Sequence, residues 1–169
     1  MAIRDGFLPE MELEFAATRR VLERVPEDKA DWRPHAKSTP LGQLAQHVAE
    51  LPGWSGAILA SDHYDLAPPD GPPYTPPVWR SRKELLAGFD EKVAAAMQTV
   101  KGFDDDAFHA PWSLKKSGGT LMTMPRTAVL RSFILNHLIH HRAQLTVYLR
   151  MNDIPLPAIY GPSADEGGM

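Results

Sequence analysis

No cysteine occurs in the 169 residues. A disulfide framework is therefore excluded, and so is any metal site built on thiolates. A bound ion would have to be held by His, Asp, Glu or water. The chain also lacks a surplus of positive charge: 18 basic residues against 21 acidic ones leave a net charge of −3. Binding to a phosphate backbone needs a clustered basic footprint, so nucleic acid is not an expected partner. The short groups Arg80-Ser81-Arg82-Lys83 and Lys115-Lys116 are too small to change that. No uninterrupted apolar run is long enough to span a membrane, and Met1 to Gly6 do not open a secretory leader. These absences are compatible with a cytoplasmic protein, the expected location.

An apolar fraction of 43% and a charged fraction of 23% are those of a folded globular chain. The length fits one domain spanning residues 1–169, able to bury a core without covalent staples.

Four segments carry helical periodicity. The first covers residues 10–25, with Met11, Phe15, Leu22 and Val25 on one stripe and Pro26 as its stop. The second opens at Ser38-Thr39-Pro40, a hydroxyl cap followed by proline, and continues to residue 61. Its stripe holds Leu44, His47, Val48, Leu51, Trp54 and Ile58, and Pro52-Gly53 should kink it one turn beyond His47. The third starts at the capping pattern Ser81-Arg82-Lys83-Glu84 and buries Leu85, Phe89, Val93, Met97 and Val100. The fourth runs over residues 124–151, with Leu130, Ile134, His137, His141, Gln144 and Tyr148 on one face.

Residues 65–77 are proline-rich and should be extended loop. Trp112-Ser113-Leu114 and Thr120-Leu121-Met122 flank a Lys-Lys-Ser-Gly-Gly turn, the pattern of a small hairpin between helices three and four. In the tail, Ile154, Leu156, Ile159 and Tyr160 should dock on the helices, whereas residues 163–169 should fray. The expected fold is all-α, a four-helix bundle with long crossovers and one small β-hairpin.

Seven histidines are present. His137 and His141 lie four apart and so stack on one helical face about 6 Å apart along the axis. His140 is rotated roughly 100° away from His141 and should miss their common centre. His47 sits on the stripe of another helix, and facing stripes of a bundle bring ligands from different helices together. A core histidine satisfied by a hydrogen bond is the common alternative for any one of these rings. Three inward-facing imidazoles, however, would each need a buried partner of their own. The remaining histidines suit ordinary positions: His35 and His63 in loops, His109 among acidic and small residues. Three neutral imidazoles suit one divalent transition metal, zinc, nickel or iron, and leave coordination positions for water or substrate. Glu50, one turn from His47, and Gln144, near His141, are candidates to orient a ring or touch a ligand. Trp54, two turns beyond His47, is the best candidate among the tryptophans to line a pocket; Trp32, Trp79 and Trp112 more often complete a core.

The run Asn136-His137-Leu138-Ile139-His140-His141-Arg142-Ala143-Gln144-Leu145 resembles the last helix of the DinB superfamily, with its His-x-x-x-His-Arg-x-Gln pattern. Residues 41–50, around His47, resemble the helix that carries that family's first histidine. Trp32-Arg33-Pro34 and the tail from Ile154 to Glu166 fit as well. Ala143 stands where many members have glycine, a change that favours the helix. The resemblance implies a four-helix bundle with a three-histidine metal site, often a homodimer. It also points to relatives such as bacillithiol S-transferases and mycothiol-dependent isomerases, hence a low-molecular-weight thiol as a second cofactor. Three functions follow: a metal-dependent enzyme, either thiol transferase-like or hydrolytic; a non-catalytic metal-binding or dimerising protein; or a bundle whose histidines are merely buried. A fourth protein ligand would favour the second, and an open coordination position the first.

Overall fold

A computed structural model describes residues 2–167. Helix α1 (Ile3–Leu22) packs against α4 (Arg82–Gly102) and α6 (His137–Met151), and α2 (Leu41–Glu50) packs against α4 and α6 from the other side. With α3 (Trp54–Ala60) continuing α2 beyond a short turn, these four make a four-helix bundle around Met11, Phe15, Leu44, Phe89 and Leu145.

Helix α1 begins seven residues earlier than the expected start at Glu10 and passes through Pro9. Proline near a helix start removes one donor and kinks little when the rest of the turn is held. Here the first turn is held from outside: the Asp105 carboxylate accepts from the backbone N–H of Ile3 at 2.6 Å and of Arg4 at 3.4 Å. That partner lies about a hundred residues away, so no local pattern could announce it.

At the start of α2 the expected hydroxyl cap is absent. Pro40 occupies the cap position, with no side-chain cap. The orphan N–H groups of Leu41 and Gly42 donate instead to the carbonyls of Trp32 (2.8 Å) and Ala30 (2.9 Å). Gly42 also lets Trp79 lie flat on the helix: a Cβ there would meet the indole at 2.8 Å and Ala30 Cβ at 3.0 Å. The expected interruption at Pro52-Gly53 is a 3-10 turn, Leu51–Gly53, that redirects the chain into α3. Ser81 caps α4 as its sequence suggests, accepting from the Glu84 N–H at 3.2 Å.

The hairpin is present as β2 (Pro111–Lys116) and β3 (Gly119–Pro125), turning at Ser117 and Gly118 with φ of 52° and 78°. Both positions are left-handed, the requirement of a tight twisted turn. A third strand, β1 (His63–Asp65), pairs parallel to β2 and was not expected; three residues are too few to carry an alternation signal. His63 is therefore in a strand rather than a loop. Asp65 binds β1 to the hairpin, its carboxylate accepting from Ser117 N at 3.0 Å and Gly118 N at 2.8 Å.

The last helical segment is the main departure. Helix α5 (Arg126–Val129) leads into a π-helical stretch, Leu130–Asn136, before α6. The wider turn adds a residue and delays the buried stripe by one position. Leu130 and Ile134 are followed in the core by Leu138, Arg142, Leu145 and Leu149, while His137, His141 and Tyr148 sit half-buried beside them.

The tail docks through Ile154, Leu156 and Ile159. The expected fraying from residue 163 does not occur among the described residues. Glu166 pairs with Arg20 and Arg24, Asp165 pairs with Arg150, and the Ser163 hydroxyl donates to the Leu156 carbonyl at 2.7 Å. Residues 168 and 169 lie outside the described residues.

Candidate metal centre

His47 projects from the last turn of α2, and His137 and His141 project from the first two turns of α6. The three rings meet between the helices. Their ligating atoms all lie within 4.8 Å of one another, and ring centroids are 4.6 to 5.0 Å apart. The Nε2 atoms of His47 and His137 are 3.2 Å apart. Two imidazoles bound to one ion at about 2.0–2.1 Å with a tetrahedral angle would place their nitrogens roughly 3.3 Å apart, so the spacing fits a shared centre.

The electrostatics favour neutral rings with free lone pairs. Burial, then the neighbouring charges of His141 and His137, push the His47 pKa down to about 4. Burial also lowers His137, helped by the His141 charge, while a hydrogen bond to the Phe133 backbone works the other way. His141 is lowered by burial and partly restored by its bond to Gln144. That bond joins His141 Nδ1 to Gln144 Oε1 at 2.7 Å. With the hydrogen on Nδ1, His141 presents its Nε2 lone pair to the centre.

Among the described residues the cluster consists of these three histidines, with no carboxylate joining them. Glu50 faces away: its carboxylate accepts from Gln46 Nε2 at 2.9 Å and pairs with Lys92 Nζ at 3.3 Å, rather than orienting a ring. The i+3 spacing that put Glu50 near His47 also matches a salt bridge to α4. His140 stays outside the cluster, its ring edge-on to His141 at 4.8 Å. Arg142 takes no part either. It is 2% exposed and donates to the Glu14 carboxylate at 2.7 Å, to Thr18 Oγ1 at 3.2 Å and to the Tyr160 hydroxyl at 2.6 Å.

Beside the triad lies a cavity of about 300 Å³ that reaches His47 and His137. Trp54 forms one wall, as its position after the kink suggested, and Phe133, Trp112 and Leu114 form others. Leu66, Tyr74 and Pro76 close the remaining side from the proline-rich crossover. Nothing in that crossover's composition marked it as a wall. Of the other tryptophans, Trp32 packs edge-on to Tyr148 at 5.6 Å and Trp79 packs on Gly42.

A helical bundle that gathers one histidine from an early helix and an i, i+4 pair from its last helix defines a class of three-histidine proteins able to hold a metal ion. The chain belongs to the DinB superfamily, whose sequence model matches residues 10–145. It is 25% identical over 162 residues to the Bacillus subtilis (strain 168) protein YrdA, described as uncharacterized; the match covers 96% of this chain and 90% of that one. Two solved structures share the fold. A DinB-like protein from Bacillus cereus ATCC 10987 superposes with a TM-score of 0.71 at 23% identity, covering 94% of this chain and 98% of that one. The DinB-like protein YjoA from Bacillus subtilis gives 0.66 at 16% identity, covering 90% and 95%. No helix among the described residues is long and apolar enough to cross a membrane.

Proposed function

We propose that this chain is a metal-dependent enzyme that joins a low-molecular-weight thiol to a small electrophilic molecule. One observation carries the reading: the three-histidine cluster, with no fourth protein ligand among the described residues, opens directly onto an apolar cavity. A closed shell of four side chains would instead suit a structural ion.

A zinc, nickel or iron(II) ion held by His47, His137 and His141 lowers the pKa of a thiol or water that it binds, and so supplies a nucleophile at neutral pH. The protein's own groups do the rest. Burial keeps the three imidazoles neutral, so that their lone pairs are free. Gln144 fixes the His141 tautomer. The cavity walls exclude water and hold the electrophile against the imidazole end. The chain has no cysteine, so the sulfur must arrive on a co-substrate. A carbon–sulfur bond forms, the leaving group departs with its electron pair, and the thiol proton passes to solvent.

The test is a screen of small thiols against uncharged electrophiles with protein reconstituted with Zn²⁺, Ni²⁺ or Fe²⁺. Thiol-dependent, saturable conjugation is expected, and His47→Ala should lower kcat/KM by about 100-fold or more, a loss of about 2.7 kcal/mol of transition-state stabilisation. Conjugation that survives His47→Ala, or none above the uncatalysed rate, would overturn the reading. Turnover without any thiol would identify a hydrolase instead.

A further inference from the structure

The cavity beside the triad carries no Lys, Arg, Asp or Glu in its lining. Apart from the two imidazoles it is built of Leu, Ile, Pro and aromatic side chains. A charged group placed against the walls away from the histidines would lose its hydration with no counter-charge to replace it. The volume of about 300 Å³ is roughly twice the ~150 Å³ that accepts benzene in an apolar cavity. It therefore takes one substituted ring or a small fused pair.

A second concavity of about 230 Å³ lies on the far side of the same aromatic wall. It has the charged residues Glu50 and Lys92 in its lining, and it shares only Trp54 and Tyr74 with the first. The partition between the two is thus a pair of rings in edge contact, with centroids 5.2 Å apart. Trp54 is anchored in α3, after the Pro52-Gly53 turn. Tyr74 stands on the crossover between β1 and α4, where its backbone N–H donates to the Leu66 carbonyl at 2.8 Å. Its side chain is the removable half of the wall.

We propose that Tyr74 is the specificity-determining residue of this site, and that the substrate's non-reacting part is an uncharged aromatic or similarly sized apolar group. The Tyr74 ring keeps the charged Glu50–Lys92 pair out of the cavity, so a neutral ring is bound and a charged one rejected. This deepens the enzyme reading above and rests on it only where the reactive atom is placed beside the histidines.

The experiment has a metal arm and a metal-free arm. Cobalt(II)-loaded protein is titrated with imidazole, 4-phenylimidazole and 4-(imidazol-4-yl)benzoate, read in the visible spectrum of the ion. The phenyl group should tighten binding by roughly tenfold or more through apolar burial, and the benzoate should lose that gain. Tyr74→Ala should shrink the preference for the neutral ring over the benzoate by about tenfold, and Tyr74→Phe should retain it. In the metal-free arm, indole should show saturable binding by NMR to the wild type, weakened in Tyr74→Ala. Equal affinities for imidazole and 4-phenylimidazole, a preference for the benzoate, or a Tyr74→Ala variant that still discriminates would each overturn the proposal. If no azole perturbs the cobalt spectrum while indole binds as expected, the metal reading fails and the cavity assignment stands.

Discussion

An imidazole has two nitrogens, and only a ring whose second nitrogen is committed presents a fixed lone pair to an ion. At His141 that commitment is the 2.7 Å bond from Nδ1 to Gln144. Gln144→Ala should therefore weaken divalent-metal affinity by about 10–100-fold, the usual cost of losing such a partner, as measured by competition with a chromophoric chelator. An unchanged affinity would show that the glutamine is only a surface group. The triad residues and Gln144 were legible in the sequence because helical spacing alone puts i, i+3 and i+4 neighbours on one face. Glu50 satisfied the same rule and yet turned to Lys92, because spacing cannot say which of two neighbouring helices a side chain meets. The pairing of Arg142 with Glu14 was not legible, because it depends on a contact across 128 residues.

At the scale of elements, apolar periodicity located all four helical segments and the hairpin. It missed features that depend on backbone hydrogen bonds. The π-helical stretch Leu130–Asn136 leaves the same residue types in the same order, so nothing in the sequence reveals the added residue per turn. Its consequence is functional: the core stripe passes to Leu138 and Arg142, and His137 and His141 are left half-buried at the cavity edge. The start of α2 depends on a different constraint, the close approach of Trp79 and Ala30 to Gly42. Alanine would normally favour a helix over glycine by up to about 1 kcal/mol. Here its Cβ has no room, so Gly42→Ala should destabilise the protein by about 1–3 kcal/mol, measured by chemical denaturation. A more stable variant would mean that Trp79 moves aside at little cost.

The whole molecule is closed by a network, buried at Arg142 and Glu14, that joins α1, α6 and the tail. Arg142 bonds the carboxylate and carbonyl of Glu14, and the Tyr160 hydroxyl lies 2.8 Å from both Glu14 carboxylate oxygens. Removing one partner of a buried ion pair leaves the other charged and desolvated. Glu14→Ala should cost about 3–5 kcal/mol of unfolding free energy, while leaving the metal-binding stoichiometry of the folded protein unchanged. A much smaller loss of stability would mean that water reaches Arg142. The docked tail was only half legible, because its apolar residues signalled contact but the partners of Glu166, Arg20 and Arg24, lie at the far end of the sequence. Three imidazoles, one from α2 and two from α6, converge on a single ion position. Elemental analysis of protein saturated with Zn²⁺ and then dialysed tests that convergence most directly, comparing wild type with His47→Ala, His137→Ala and His141→Ala, each shown to be folded. One ion per wild-type chain is expected, and well under half that in every variant; equal metal content in wild type and variants would rule out a shared three-histidine site.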